Sequence, residues 1–447
     1  MGAVRFAGAA SSLPWFGRMP LRASIAAVVI AQSGSSVRAA TLQGWGYNFY
    51  GQLGLGTTAQ ADHPVTLSTD DTVTAFAAGG YHSLVVRNGS VSAAGANDSG
   101  QIGDGSTATR NTPSPVPSLG TVTAVAGGGY HSLAIASGAV YAWGQNTYGS
   151  LGNGATGSSN SPVAATNLTS GATAIAAGAY HSLAIRNGAA YGWGYNYNGQ
   201  VGDGTTAMKT SPVAVTSLST GVTDIAAGAY HSLAVKGGAV YAWGDNSYGE
   251  LGNGTTSGRT SPVALSGLTS GVSAVAAGQG HSLAIRNGLV YAWGDNAYGQ
   301  LGDGTTTDRT RPVQISGLSN ITGMAAGMTS SYALAADGSL WVWGYNALGE
   351  LGLGDTTDRL TPTHLLPPSG YRYAGIDADA FGDFAIASMV AVPEPATVAL
   401  IAFAPLLLRR TRSTRRLQHN LQIDAKSHNS VAKVICLDKT PQLTSQH

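Results

Sequence analysis

A Trp-Gly pair returns along this chain at Trp45, Trp143, Trp193, Trp243, Trp293 and Trp343, with Ala94 in the one slot lacking a tryptophan. The intervals are 49, 49 and then 50 four times. A period this regular dictates a stack or ring of equal units, because each unit alone cannot bury its apolar surface. Stretches that look like isolated active-site motifs, such as "YHSLAIRNGAAYGWGYNYNGQVGDGTT" from Tyr180, are therefore copies of a building block. Related copies begin at Tyr230 and Gly280, with weaker ones at Tyr81, Tyr130 and Ser330.

Within a unit four strand-like segments follow one another, as in "ATAIAAG", "SLAIR", "AVYAW" and "SPVAV", separated by glycine-rich turns. Between the second and third lies a two-residue hairpin signal: Asn88-Gly89, Asn187-Gly188, Gly237-Gly238, Asn287-Gly288 or Asp337-Gly338. Such pairs tolerate positive φ at both positions. Four strands per unit and seven units predict an all-β chain, a seven-bladed β-propeller of four-stranded blades. The repeats begin at Thr41 with a Trp-Gly strand lacking the strands that should precede it in its unit and end near Met389 without the Trp-Gly strand that should follow. The N-terminal strands are thus expected to complete the last blade, closing the ring and leaving no open sheet edge.

Glycine is 63 of 447 residues and charged residues only 10%, which suits short strands and tight turns better than helices. The single cysteine, Cys436, lies outside the repeats, so no disulfide is expected there. Residues 41–393 carry 11 Lys+Arg against 19 Asp+Glu, a balance of −8 although the whole chain is +1. An acidic repeat body is a poor match to nucleic acid.

The ends read as addresses. Arg18 and Arg22, the apolar run "ASIAAVVIA" from Ala23 and the small-residue site "VRA" ending at Ala39 have the order of a secretory signal peptide over residues 1–40, with Met19 a plausible start. At the other end "VPEPATVALIAFAPLLLRRTRSTRR" holds 13 mostly apolar residues, Ala396 to Leu408, followed by five arginines. That is short for a membrane span, which needs about 20 residues, but the arginines supply a cytoplasmic stop. Residues 417–447 read as a polar tail.

The "YAWGDNxYGQLGDGTT…R-T-SPV" unit resembles the regulator of chromosome condensation repeat, over about Thr41 to Met389. Kelch repeats have similar length but lead with paired glycines. Residues 390–416 resemble the PEP-CTERM sorting signal of exported bacterial proteins. That resemblance implies recognition at Pro393, Glu394 and Pro395 by an exosortase, after signal peptidase has acted, with a transient membrane anchor between the two steps. Such signals usually end soon after the basic run, whereas 31 residues follow Arg416 here.

Equivalent slots hold His82, His131, His181, His231 and His281, then Ser331 and Gly382 on a 50-residue count. Five histidines on five blades are spread round a ring, so they are expected to bond a neighbouring turn rather than gather on a metal. The tryptophans Trp45, Trp143, Trp193, Trp243, Trp293 and Trp343 are expected to pack between blades with the indole N–H satisfied. An asparagine in all seven slots, Asn48 to Asn346, suits a turn bonded to its own backbone. The Gly-Asp-Gly loops at Asp104, Asp203 and Asp303 lack the spacing of a calcium loop. No catalytic constellation and no cofactor or metal motif stands out.

Specificity is expected where the repeats disagree. The loop after each Trp-Gly carries Tyr47 and Phe49, Tyr195 and Tyr197, and Tyr345, all on one side of the disc, and ring closure should bring Tyr345 beside Tyr47. The reading is a monomeric, non-enzymatic, exported scaffold at the cell surface or in extracellular matrix, binding an unidentified protein or carbohydrate through these aromatics. The family resemblance also implies nucleotide exchange on a small GTPase, but in that family exchange depends on a wedge inserted in one blade. Every unit here is 49 or 50 residues, without room for one.

Overall fold

The computed structural model describes residues 41–392. The signal-peptide segment, the Pro393-Glu394-Pro395 motif and everything after it lie outside the described residues. Twenty-eight strands form seven antiparallel sheets of four, and no helix occurs among the described residues. None is therefore present there that could cross a membrane.

Blade three shows the pattern: Ala172–Ala177 innermost, then His181–Arg186, Ala189–Gly194 and Lys209–Ala214. The second strand, "HSLAIR", is buried at every position but its last. It sits mid-blade with neighbouring blades on both faces, so it reads as a nearly continuous apolar run instead of an alternation. The outer strand is half exposed. Innermost strands carry small side chains because seven of them converge on one axis, around a cavity of about 120 Å³ lined by residues such as Ala77, Ala126, Ala176 and Ala226.

The Trp-Gly pair has a steric origin. Gly194 sits at φ +99°, and a Cβ there would lie 2.5 Å from the Tyr180 carbonyl, so only glycine fits where the third strand leaves the sheet. Trp193 beside it is fully buried and packs with Leu133, Leu151 and Leu168 of the preceding blade.

Ring closure takes the expected form. Tyr371–Ala378 and Phe384–Ala391 supply the inner half of blade seven, Thr41–Gly46 and Ala61–Ser68 the outer half. Thr41 pairs with Met389 and Gly46 with Phe384 in an unbroken antiparallel register. The last strand runs two residues beyond Met389.

Two slots differ from the 50-residue count. In blade six Ser330, not Ser331, pairs with the glycine after the tryptophan, as His281 pairs with Gly294. The turn entering that blade is one residue shorter, with Leu318 three before Ile321 where Leu268 is four before Val272. The following hairpin is one residue longer, a three-residue loop of Ala336, Asp337 and Gly338 closed by Ala335 N–H donating to Ser339 O, instead of a two-residue Asp-Gly turn. Deletion and insertion cancel, so the Trp-to-Trp spacing stays at 50 and hides both. In blade seven Phe384, not Gly382, fills the histidine slot.

Candidate binding face

Each histidine joins two blades rather than bonding a turn. His82 Nε2 lies 2.7 Å from Ser132 Oγ on the next blade, and His131–Ser182, His231–Ser282 and His281–Ser331 repeat the contact at 2.8–2.9 Å. Ser132 gives its only proton to the Gln101 carbonyl (2.8 Å), which also accepts from Trp143 Nε1 at 2.8 Å. The imidazole must therefore donate through Nε2–H. Its Nδ1 has no partner in His82, His181, His231 and His281. Burial holds these four at about 3 and His131 at about 4, so all are neutral near pH 7 and serve as seams. Where blade six meets blade seven, Ser330 and Ala385 replace the pair, and the Tyr332 hydroxyl bonds Ser330 (2.9 Å) and donates to the Glu350 carbonyl (2.6 Å). Trp45 Nε1 donates to the same carbonyl at 2.7 Å.

The asparagines fold the long loops. Asn196 Nδ2 donates to Thr205 and Ala207 carbonyls while its Oδ1 accepts from Val201 N–H. All seven loops after Trp-Gly, residues 47–60 through 345–358, have 14 residues between strands. Their rim aspartates bind basic neighbours: Asp104 to Arg110 and Asp203 to Lys209 at 2.7 Å, Asp303 to Arg309 and Asp355 to Arg359 at 2.6 Å. Among the described residues no three His, Cys, Asp or Glu side chains gather as metal ligands.

The same face carries a continuous aromatic line. From Phe49 it passes through Tyr50, Tyr81, Tyr130, Tyr180, Tyr148 and Tyr195 to Tyr197, with neighbouring ring centroids 4.9–5.8 Å apart. Tyr47 packs on Phe49 and Tyr50, and Tyr230 on Tyr195. Phe381 lies against Tyr81, Tyr130 and Tyr180 near the axis. The ends of the line are its exposed parts, Phe49 and Tyr197 each at 66%. Burial, then neighbouring phenols, pushes Tyr81 up to about 12 and raises Tyr180 and Tyr195, leaving neutral hydroxyls.

The structure thus joins Tyr47, Phe49, Tyr195 and Tyr197 into one surface. Tyr345 is separate: it packs edge-on against Tyr298 at 4.9 Å, and no ring contact links it to Tyr47 among the described residues. Asp383 stands between them, its carbonyl accepting from Tyr47 N–H at 2.8 Å. Sequence reasoning missed Tyr50, Tyr81, Tyr130, Tyr148, Tyr180, Tyr230 and Phe381. The signal was present, since tyrosine precedes His82, His131, His181 and His231.

The profile of the RCC1-like domain matches residues 41–387. Comparison with curated proteins gives no match. Among solved structures, human WBSCR16 is 25% identical, with a TM-score of 0.71 over 80% of this chain and 100% of that one. Prp20p of Saccharomyces cerevisiae, reported with its binding properties to Gsp1p and histones, is 22% identical, with a TM-score of 0.71 over 80% and 93%. Yeast RCC1 (Prp20) bound to Kap60 is 21% identical, with a TM-score of 0.72 over 85% and 97%.

Proposed function

The chain belongs to the RCC1-like domain family, and we propose that it is a non-enzymatic propeller scaffold whose aromatic face binds a macromolecular partner outside the cell. The aromatic line from Phe49 to Tyr197 carries this reading. Half-buried tyrosines that touch one another lose little freedom on binding and offer both ring faces and hydroxyls, the composition of interface hot spots. Protein binding by Prp20p, the yeast RCC1, seen with Gsp1p, histones and Kap60, supports a protein partner. Seven loops of one length support a recognition disc over an exchange factor, since among the described residues the face bears no inserted wedge.

Export rests on residues 1–40 and 390–416. Charged residues in place of Ala26 to Ile30 should retain the precursor inside the cell, and alanines at Pro393, Glu394 and Pro395 should leave export intact but block release from the membrane. Unchanged fractionation of both variants would remove the extracellular assignment. For the face, serine at Phe49, Tyr195 and Tyr197 should abolish capture of surface-fraction partners by the full chain while its Tm moves by no more than a few degrees. Retained capture with a large loss of Tm would make the aromatics structural.

A further inference from the structure

The face with the tyrosines is divided in charge. The rim aspartates Asp104, Asp203, Asp303 and Asp355 each have an Arg or Lys partner. Besides Asp98 on blade one, a second acidic set has none among the described residues: Asp245, Glu250, Asp295, Asp308, Glu350 and Asp358 on the same loops of blades four to six, and Asp383 in the loop between the first two strands of blade seven. Their hydrogen bonds go mainly to their own loops. Asp295 accepts from Ala297 N–H, Asp308 from Asn296 N–H and Asp358 from Asn346 N–H, at 2.9–3.0 Å. Such bonds fix these three carboxylates in place without supplying a countercharge.

Glu250 and Glu350 are the buried members, 2% and 1% exposed, and Glu350 has Oε2 accepting from Leu348 N–H at 2.9 Å and Oε1 without any partner. Beyond the effect of burial, Asp383 and Asp358 lie close enough to raise its carboxyl further, and Glu350 in turn raises the Tyr345 hydroxyl. Asp383 also neighbours Tyr47 and Tyr81, where the aromatic line begins. Tyrosines and unpaired carboxylates therefore meet at one junction, with Tyr298 and Tyr345 forming an aromatic pair inside the acidic arc.

Resting on the reading of this face as the binding surface, we infer that its partner is a polypeptide segment bearing several Lys or Arg side chains. Cations satisfy both halves of the face: they pair with fixed carboxylates, and they lie on tyrosine rings with their aliphatic stems against the phenols. A neutral glycan would use the tyrosines and leave the accessible carboxylates, Asp245, Asp295, Asp308, Asp358 and Asp383, unanswered. An acidic partner would be repelled.

The test is titration of the full chain with a fluorescent decalysine peptide, beside a length-matched Gly-Ser peptide and a neutral hexasaccharide. Decalysine should bind, weaken about ten-fold or more between low and moderate salt, and lose about ten-fold when Asp295, Asp358 and Asp383 are changed to Asn. Asp70→Asn with Asp71→Asn, on the opposite face, should change binding less than two-fold or so. Tyr298→Ser with Tyr345→Ser should also weaken it. Thermal melts must match wild type in every variant; Asn keeps the acceptor oxygen that the Asp295 and Asp358 loops use. Equal loss from the opposite-face variants, or no loss from the arc, overturns the inference. Tighter binding of the hexasaccharide, lost when Phe49, Tyr195 and Tyr197 become serine, overturns it while sparing the face. Binding of no probe, with wild-type partner capture by both tyrosine variants, overturns both.

Discussion

His181 and Ser232 stand on adjacent blades with Nε2 and Oγ 3.0 Å apart, and Ser232 passes its own proton to the Gln200 carbonyl 2.9 Å away. One buried hydroxyl thereby ties two side chains and a loop across the seam, with the Trp243 indole on the same carbonyl at 2.8 Å. Histidine is conspicuous in this sequence because the ring needs a neutral N–H donor of that reach, not because it titrates.

His181→Ala should destabilise the ring by about 2–3 kcal/mol, the sum of a lost buried hydrogen bond and an unfilled volume. Urea unfolding measures it. A change below about 0.5 kcal/mol would show that the seam does not depend on this contact.

Stability against pH should show a plateau. The buried histidines have folded values of about 3 to 4, below 6.5, so the unfolded chain takes protons first and stability falls as pH drops through that interval. Burial raises Asp377, Glu250 and Glu350 to about 7 and Asp383 to about 6. Their contribution has the opposite sign, present below about 4 and lost as pH rises through 6–7. Between pH 4 and 6.5 the two sets oppose each other. Urea midpoints should vary little there, fall between pH 4 and 3 as the histidines held at about 3 finish losing their contribution and the hydrogen-bonded rim aspartates, whose carboxyls lie below the usual range, begin to lose theirs, and decline modestly to pH 7. A monotonic rise from pH 4 to 7 would contradict the opposition.

Asp224 isolates one member of that set. It is fully buried, accepts from Val275 N–H at 2.9 Å, leaves Oδ1 unpartnered, and burial holds its carboxyl well above the usual range. Ala174 and Ala274 occupy the same slot in neighbouring blades. Asp224→Ala should therefore stabilise at pH 8, by about 1 kcal/mol or more, and have a smaller effect at pH 4, where the acid folds without losing charge. An equal effect at both pH values would mean that ionisation is not the penalty.

Removing Thr41–Gly46 should be severe. It bares the Phe384–Ala391 strand, takes Trp45 from its cluster with Leu340, Leu351 and Tyr332, and leaves the Glu350 carbonyl with one donor fewer. A fall of about 10 °C or more in Tm is expected from the lost core residue alone. Melting within a degree or two of the intact chain would mean that these strands do not hold the ring.

Blade number, strand order and closure were legible because each is a counting property of Trp-Gly and of the incomplete first and last units. The blade-six register was not, since a lost residue before Ile321 and a gained one beside Gly338 cancel between two tryptophans. The exposed ends of the aromatic line, Phe49 and Tyr197, were legible as variation between repeats. Its middle was masked for the opposite reason: Tyr81, Tyr130 and Tyr180 repeat so faithfully that they resembled scaffold. Only the convergence of the inner loops on the axis turns a repeated residue into a shared surface. The pairing of rim acids and the solitude of the inner ones likewise depend on distances that spacing does not encode.

The pairing of Thr41 with Met389 also sets an order of events. A chain emerging N-terminus first can assemble six blades as they appear, since each draws its strands from one continuous stretch. The seventh must wait, and until it forms, Thr41–Gly46 is an orphan strand carrying a large indole and an open backbone. Closing a loop of nearly the whole chain adds only a slowly growing entropy, but it makes the slowest contact the one that seals the molecule. A nascent copy is thus an unlatched arc with a sticky free end, and protection against aggregation arrives only with the final strand.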